Sequence, residues 1–186
     1  MVEITALWIP IVVSAVFVMI TLVIVHMLPG WHKTDMAAIR GEDRVLETLR
    51  GANLTPGEYR FPFGATTEEM TSPAFVEKMK AGPVGTMTIR PNGELAMGKM
   101  MGLWFVYSLV IGAIVACVTG SVHARGALLR DVFVLSSIIA FCCYVMAHWQ
   151  NWIWWGRSTR YTLTYSVDGL VYALVTGATF GWLWHR

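Results

Sequence analysis

The chain has 186 residues, of which 55% are hydrophobic and only 14% charged, against roughly a quarter charged in an ordinary soluble domain. Fourteen Lys and Arg face twelve Asp and Glu. This near-neutral balance excludes the basic footprint of a nucleic-acid-binding protein, and the uneven spread of the charges sets out the elements.

The first window, between Glu3 and Lys33, holds no Asp, Glu, Lys or Arg. A spanning helix needs about 20 mostly apolar residues, so a helix is predicted over about 6–28. Its opening MVEITA carries an acid and no base, its apolar run is long, and HMLPGWHK has no small-x-small cleavage pattern. It is read as a retained anchor rather than a signal peptide.

Residues 29–99 carry nine acids and nine bases with clear punctuation, and they predict a small α+β insertion. EDRVLETLRGANL (42–54) places Val45, Leu46 and Leu49 on one helical face and then meets Gly51. TPGEYRFPF (55–63) is a turn into an extended aromatic stretch, where Pro62 suits an edge position or no strand at all. SPAFVEKMKAG (72–82) has Ser72 as N-cap, Pro73 at the first helical position and Gly82 at the end. PVGTMTIRPNG (83–93) reads as a strand from Gly85 to Arg90 closed by a Pro-Asn-Gly turn. Phe61, Phe63, Phe75, Val76, Met79, Met87 and Ile89 are its expected core.

Three further low-charge windows follow, and only Asp168 interrupts the last. They predict helices at about 100–122, 131–153 and 166–184. The expected class is an all-α membrane protein with four transmembrane helices: a first span (1–28), an inserted cap (29–99) and a three-helix bundle (100–186). Indole has an apolar body and one N–H donor, so it settles where hydrocarbon meets headgroup. Trp149, Trp152, Trp154 and Trp155 close the third span before Arg157 and Arg160, and Trp182 and Trp184 close the fourth before His185 and Arg186. Trp8, Trp31 and Trp104 also fall near span ends. Together they predict an interfacial belt. Lys33, Arg40, Arg44, Arg90, Lys99, Arg157 and Arg160 lie on one side, which the positive-inside rule assigns to the cytoplasm. The termini are then expected outside, in the periplasm of a bacterial cell.

Helices in lipid associate through small residues that allow close backbone approach. The second span repeats them every four residues at Ser108, Gly112, Ala116 and Gly120, and the fourth does so at Gly169, Ala173, Gly177 and Gly181. These rows are expected to pair with each other or with a second subunit. The first span lacks a row and is expected at the periphery. Cys117, Cys142 and Cys143 form no CxxC and read as small apolar core residues.

Ionisable residues at membrane depth are functional candidates. His26, His148 and Asp168 are the three here, with His32, Gln150 and Asn151 close by. Neutral imidazole ligates metals and haem iron, so one reading is a haem or metal clamp. Another is a proton or quinone-headgroup site. The plainest reading makes both histidines interfacial, with Asp168 capping the fourth helix or pairing with Arg157 or Arg160. No Gly-rich phosphate loop, HExxH or Ser-His-Asp pattern is present. The expected function is therefore interaction: an accessory or assembly subunit of a larger membrane complex, or a homo-oligomer. The alternatives are a redox protein using His26, His148 and Asp168, and a small transporter.

The HMLPGWHK end of the first span, PGEYRFPF, GPVGTMTIRPNG and the DGLVYALVTGATFGWLW tail together resemble a family of small bacterial four-helix inner-membrane proteins of unassigned function. The resemblance implies a lipid-embedded fold and carries no catalytic residue.

Overall fold

The computed structural model describes residues 1–27 and 30–184. Two features read from the sequence lie outside these residues: the basic pair His185 and Arg186, and the Leu28-Pro29 part of the HMLPGWHK motif. The protein is mostly helical, with one small sheet. It divides into two compact units, Met1–Met36 with Ala96–Arg186, and Ala37–Leu95.

The first unit holds four long helices. A 3-10 turn, Ile4–Leu7, leads into α1 (Trp8–Met27), and after the insertion come α5 (Met97–Val122), α6 (Leu129–Trp155) and α7 (Thr159–Leu183). Three of the four, Ile4–Met27, Met97–Val122 and Leu129–Trp155, are long and apolar enough to cross a membrane. α7 is as long, but Arg160, Asp168 and its many Gly, Thr and Ser residues lower its hydropathy. The reason is its position. Eleven of its residues are buried, against five in α6. A helix that buries more of itself against protein needs less of a lipid-compatible surface.

α7 begins seven residues before the predicted 166. Gly156 ends α6 in the left-handed region, at φ 64°, and Ser158 then caps α7 by accepting the Tyr161 N–H. The polar TRYTLTYS stretch is therefore helical, and Asp168 lies in its third turn. The capping role expected for Asp168 is overturned.

Each helix runs against its neighbours in the order α1, α5, α6, α7 and back to α1. The Val2 N–H donates to the Gly120 carbonyl, and Trp184 Nε1 donates to the Ala124 carbonyl at 3.0 Å. The start of the chain, the α5–α6 connection and the end of α7 thus share one end of the bundle. The small-residue rows do not pair with each other, because α5 and α7 lie across the diagonal. A Cβ on Gly112 would meet Ile11 of α1, and one on Gly120 would meet Val2 and Leu7. On α7, Gly169 faces Tyr144 and Val145, Gly177 faces Ser137 and Phe133, and Gly181 faces Leu129 and Phe133. Both rows are used inside one chain, and α1 is an integral wall, not a peripheral helix.

Val115, Ala116, Val132, Ala140, Val145 and Phe180 fill the middle of the bundle. Tyr107, Tyr144, Tyr172 and Trp104 pack ring on ring beside them, three of the pairs edge to face and Trp104–Tyr107 tilted, with centroids 5.3 to 6.0 Å apart. Three tryptophans leave the expected belt: Trp104 and Trp149 pack on the core, and Trp184 is itself buried. Trp8, Trp152, Trp154, Trp155 and Trp182 remain exposed, as interfacial residues would be. Cys117 and Cys142 also face outward, contrary to the core reading.

The second unit, Ala37–Leu95, contains α2 (Glu42–Gly51), β1 (Gly57–Phe61), α3 (Thr67–Thr71), α4 (Pro73–Ala81) and β2 (Gly85–Ile89). The strands pair antiparallel with Gly57 opposite Ile89 and Phe61 opposite Gly85. β1 stops where Pro62 has no N–H to offer. Ser72 caps α4 as its sequence predicts, and Thr66 caps the unpredicted α3 by accepting the Glu69 N–H. Among the described residues, none of this unit is fully buried. Phe75, Met79, Met87 and Ile89 are half-buried, but Phe63 is 73% exposed and Phe61 and Val76 are also exposed. The expected core is therefore only a partial one.

Candidate functional site

The polar centre lies where α1 ends and α7 begins. It starts with a chain reversal. Gly30 adopts φ 67°, which only glycine takes without strain, and the 3-10 turn Trp31–Thr34 follows. The reversal lays the His32 ring on that of His26, with centroids 4.2 Å apart and planes 8° from parallel. Asp168 reaches the same point from the third turn of α7. One ligand atom each from His26, His32 and Asp168 lies within 4.8 Å of the others.

The hydrogen bonds fix which nitrogen each ring presents. His26 Nδ1 lies 3.1 Å from the Leu22 carbonyl, which can only accept, so Nε2 is left with the lone pair. His32 Nδ1 donates to Asp35 Oδ2 at 2.8 Å, which again leaves Nε2 as the acceptor. Asp35 is fixed in turn by the Thr164 hydroxyl at 3.3 Å and the Arg160 guanidinium at 3.7 Å. Arg160 also donates to the Trp31 carbonyl. Among the described residues Asp168 pairs with neither Arg157 nor Arg160, the two partners the sequence offers; Arg160 pairs with Asp35 instead.

Asp168 is 1% exposed, and neither carboxylate oxygen has a hydrogen bond among the described residues. Its Oδ2 nevertheless lies 3.1 Å from His32 Nε2. The two facts agree once the network is followed. The Trp31 indole lies beside the same carboxylate, but its N–H is aligned on His32 Nε2 at 2.9 Å. Nε2 is therefore an acceptor facing a second acceptor. An ionised carboxylate taken out of water without a partner costs several kcal/mol, so this pair calls for a cation or a proton between them.

Of the predicted trio, His26 and Asp168 converge and His148 does not. The His148 ring meets Tyr165, with centroids 5.5 Å apart, and offers no ligand atom to the group. Tyr165 also touches His26 and His32 edge-on, so its ring separates the histidine stack from His148. His32 takes the place assigned to His148. The readable signal was the His32-x-x-Asp35 spacing, which can supply a ligand and the carboxylate that orients it. Haem does not fit. Two histidines that clamp a haem approach the iron from opposite faces, whereas these rings stack face to face.

Comparison with protein-family models, with curated proteins and with solved structures finds no match.

Proposed function

We propose that this chain is a multi-pass protein of a bacterial cytoplasmic membrane that acts by interaction, as an accessory or assembly subunit of a larger membrane complex. In this reading α7 crosses with the three apolar helices, the Ala37–Leu95 unit lies in the cytoplasm and the termini lie in the periplasm. The observation that carries it is the uncovered apolar surface of the Ala37–Leu95 unit. Phe63, Val84, Leu46 and Val76 are all exposed on it, in a unit with no buried residue among those described. Contiguous exposed apolar surface marks interaction sites, and a partner that covers these four side chains would make one of them.

Self-association by the small-residue rows loses its motivation, because both rows already pack within one chain. A membrane-protein partner bound through the Ala37–Leu95 unit is the better-supported form. The test is photo-crosslinking in native membranes, with a crosslinking side chain placed at Phe63 or at Val84. A discrete adduct of one protein at either position is the expected result. Crosslinks to lipid alone at both positions would overturn the reading.

A further inference from the structure

We propose that His26, His32 and Asp168 form a binding site for one divalent first-row transition metal. The inference does not depend on the interaction reading. It rests on three features of the geometry. First, both imidazoles have Nδ1 engaged, by a backbone carbonyl and by Asp35, and so present Nε2. A ligating histidine whose other nitrogen is held by a carbonyl or carboxylate is the usual outer shell of a protein metal site. Second, the carboxylate that faces them is buried and unpartnered. Third, that carboxylate lies 3.1 Å from an acceptor lone pair, His32 Nε2, a contact that a cation between the two turns from repulsive to favourable.

The donor set selects the class of ion. Two imidazoles and one carboxylate suit Zn2+, Fe2+ and their neighbours, whereas Mg2+ and Ca2+ prefer all-oxygen sites. Bonds of about 2.1 Å in a tetrahedral site place ligand atoms about 3.4 Å apart. The three atoms, within 4.8 Å of one another, must therefore close by at most about 1.4 Å. That is a rotation of the His26 and His32 rings out of their stack. Binding also removes the Trp31 N–H from His32 Nε2, because the lone pair cannot serve both. Three protein ligands leave a further coordination position open.

The experiment uses the full-length protein in detergent, metal-stripped and titrated with Zn2+ by calorimetry and with Co2+ by visible absorption. One equivalent of Zn2+ and a Co2+ spectrum with imidazole ligation are expected. His32→Ala and Asp168→Asn should each weaken binding by at least about 100-fold. Asp35→Asn, which only loosens the orientation of His32, should weaken it by about 10–100-fold. His148→Ala should leave it unchanged. His26 is exposed, so His26→Gln tests the site without cost to the core if Asp168→Asn fails to fold. The inference is overturned if the wild-type protein takes up no stoichiometric metal. Binding that survives both His26→Gln and His32→Ala, or that His148→Ala removes as fully, would overturn it as well.

Discussion

Gly177 is the point at which the packing of α7 on α6 is tightest, and replacing it with alanine tests that packing directly. An ideal Cβ there would collide with Ser137 Oγ, lie 2.8 Å from the Phe133 carbonyl oxygen and lie 3.1 Å from Ser137 Cβ. The Ser137 hydroxyl can turn away. The Phe133 carbonyl is backbone and cannot. Ordinary contact begins at 3.4 Å, so α6 must retreat by roughly 0.6 Å along the crossing, an overpacking that costs about 1–3 kcal/mol. The better helix propensity of alanine returns up to about 1 kcal/mol. With that return in full, Gly177→Ala should lose about 0–2 kcal/mol net, and it should be less stable than Gly102→Ala. Gly102→Ala is the control: nothing lies within 4 Å of its Cβ, and it should be neutral or gain up to about 1 kcal/mol. Gly112→Ala meets a flexible Ile11 methyl at 3.2 Å and should fall between them. The assay is reversible unfolding in mixed micelles followed by circular dichroism. If Gly177→Ala matched Gly102→Ala, the close approach of α6 and α7 would be refuted.

Three other changes probe other levels of the structure. Thr119 and Ser136 share a buried hydrogen bond of 3.2 Å; Thr119→Val alone should cost about 1–3 kcal/mol by orphaning Ser136, whereas Thr119→Val with Ser136→Ala should be nearly neutral in the same unfolding assay. Trp184→Phe removes the bond to the Ala124 carbonyl and should cost about 0.5–1.5 kcal/mol, with faster hydrogen exchange at the α5–α6 connection. Ser72→Ala removes the acceptor for the Phe75 N–H and should cost about 1 kcal/mol, read as lost exchange protection across α4 with none lost in α7.

The parts of the fold that follow from local chemistry were legible. Charge-free windows located α1, α5 and α6 to within a few residues. Ser72 with Pro73 marked the start of α4, and the Pro-Asn-Gly turn marked the end of β2. What escaped was set by contacts between distant residues. Low charge does not mark the start of α7, because its first two turns are polar; the Ser158 cap is the signal the sequence carries there. The pairing of the small-residue rows could not be read, since every-four spacing shows which face is smooth and not which helix lies on it. At the polar centre, His26 and Asp168 were found from their depth in the spans. His32 was passed over because only the reversal at Gly30 carries it back onto His26, and no periodicity encodes that fold-back.

The modest hydropathy of α7 has a consequence for biogenesis. A helix inserted on its own must suit the bilayer on every side, and a single Asp near its centre costs about 2.5–3.5 kcal/mol on the scale of translocon insertion. If α7 is the fourth span, as proposed, then with Asp168 well inside it this helix is poorly equipped to enter alone. Only residues 156–158 separate it from α6, and its glycines already match the α6 surface. In the proposed four-span reading the two are best delivered together, as one antiparallel hairpin, and Asp168 is covered when it meets His26 and His32 at the end of α1. Because α7 comes last in this sequence, the earlier helices are already made when it emerges, and the groove that receives Asp168 is in place before the residue that fills it.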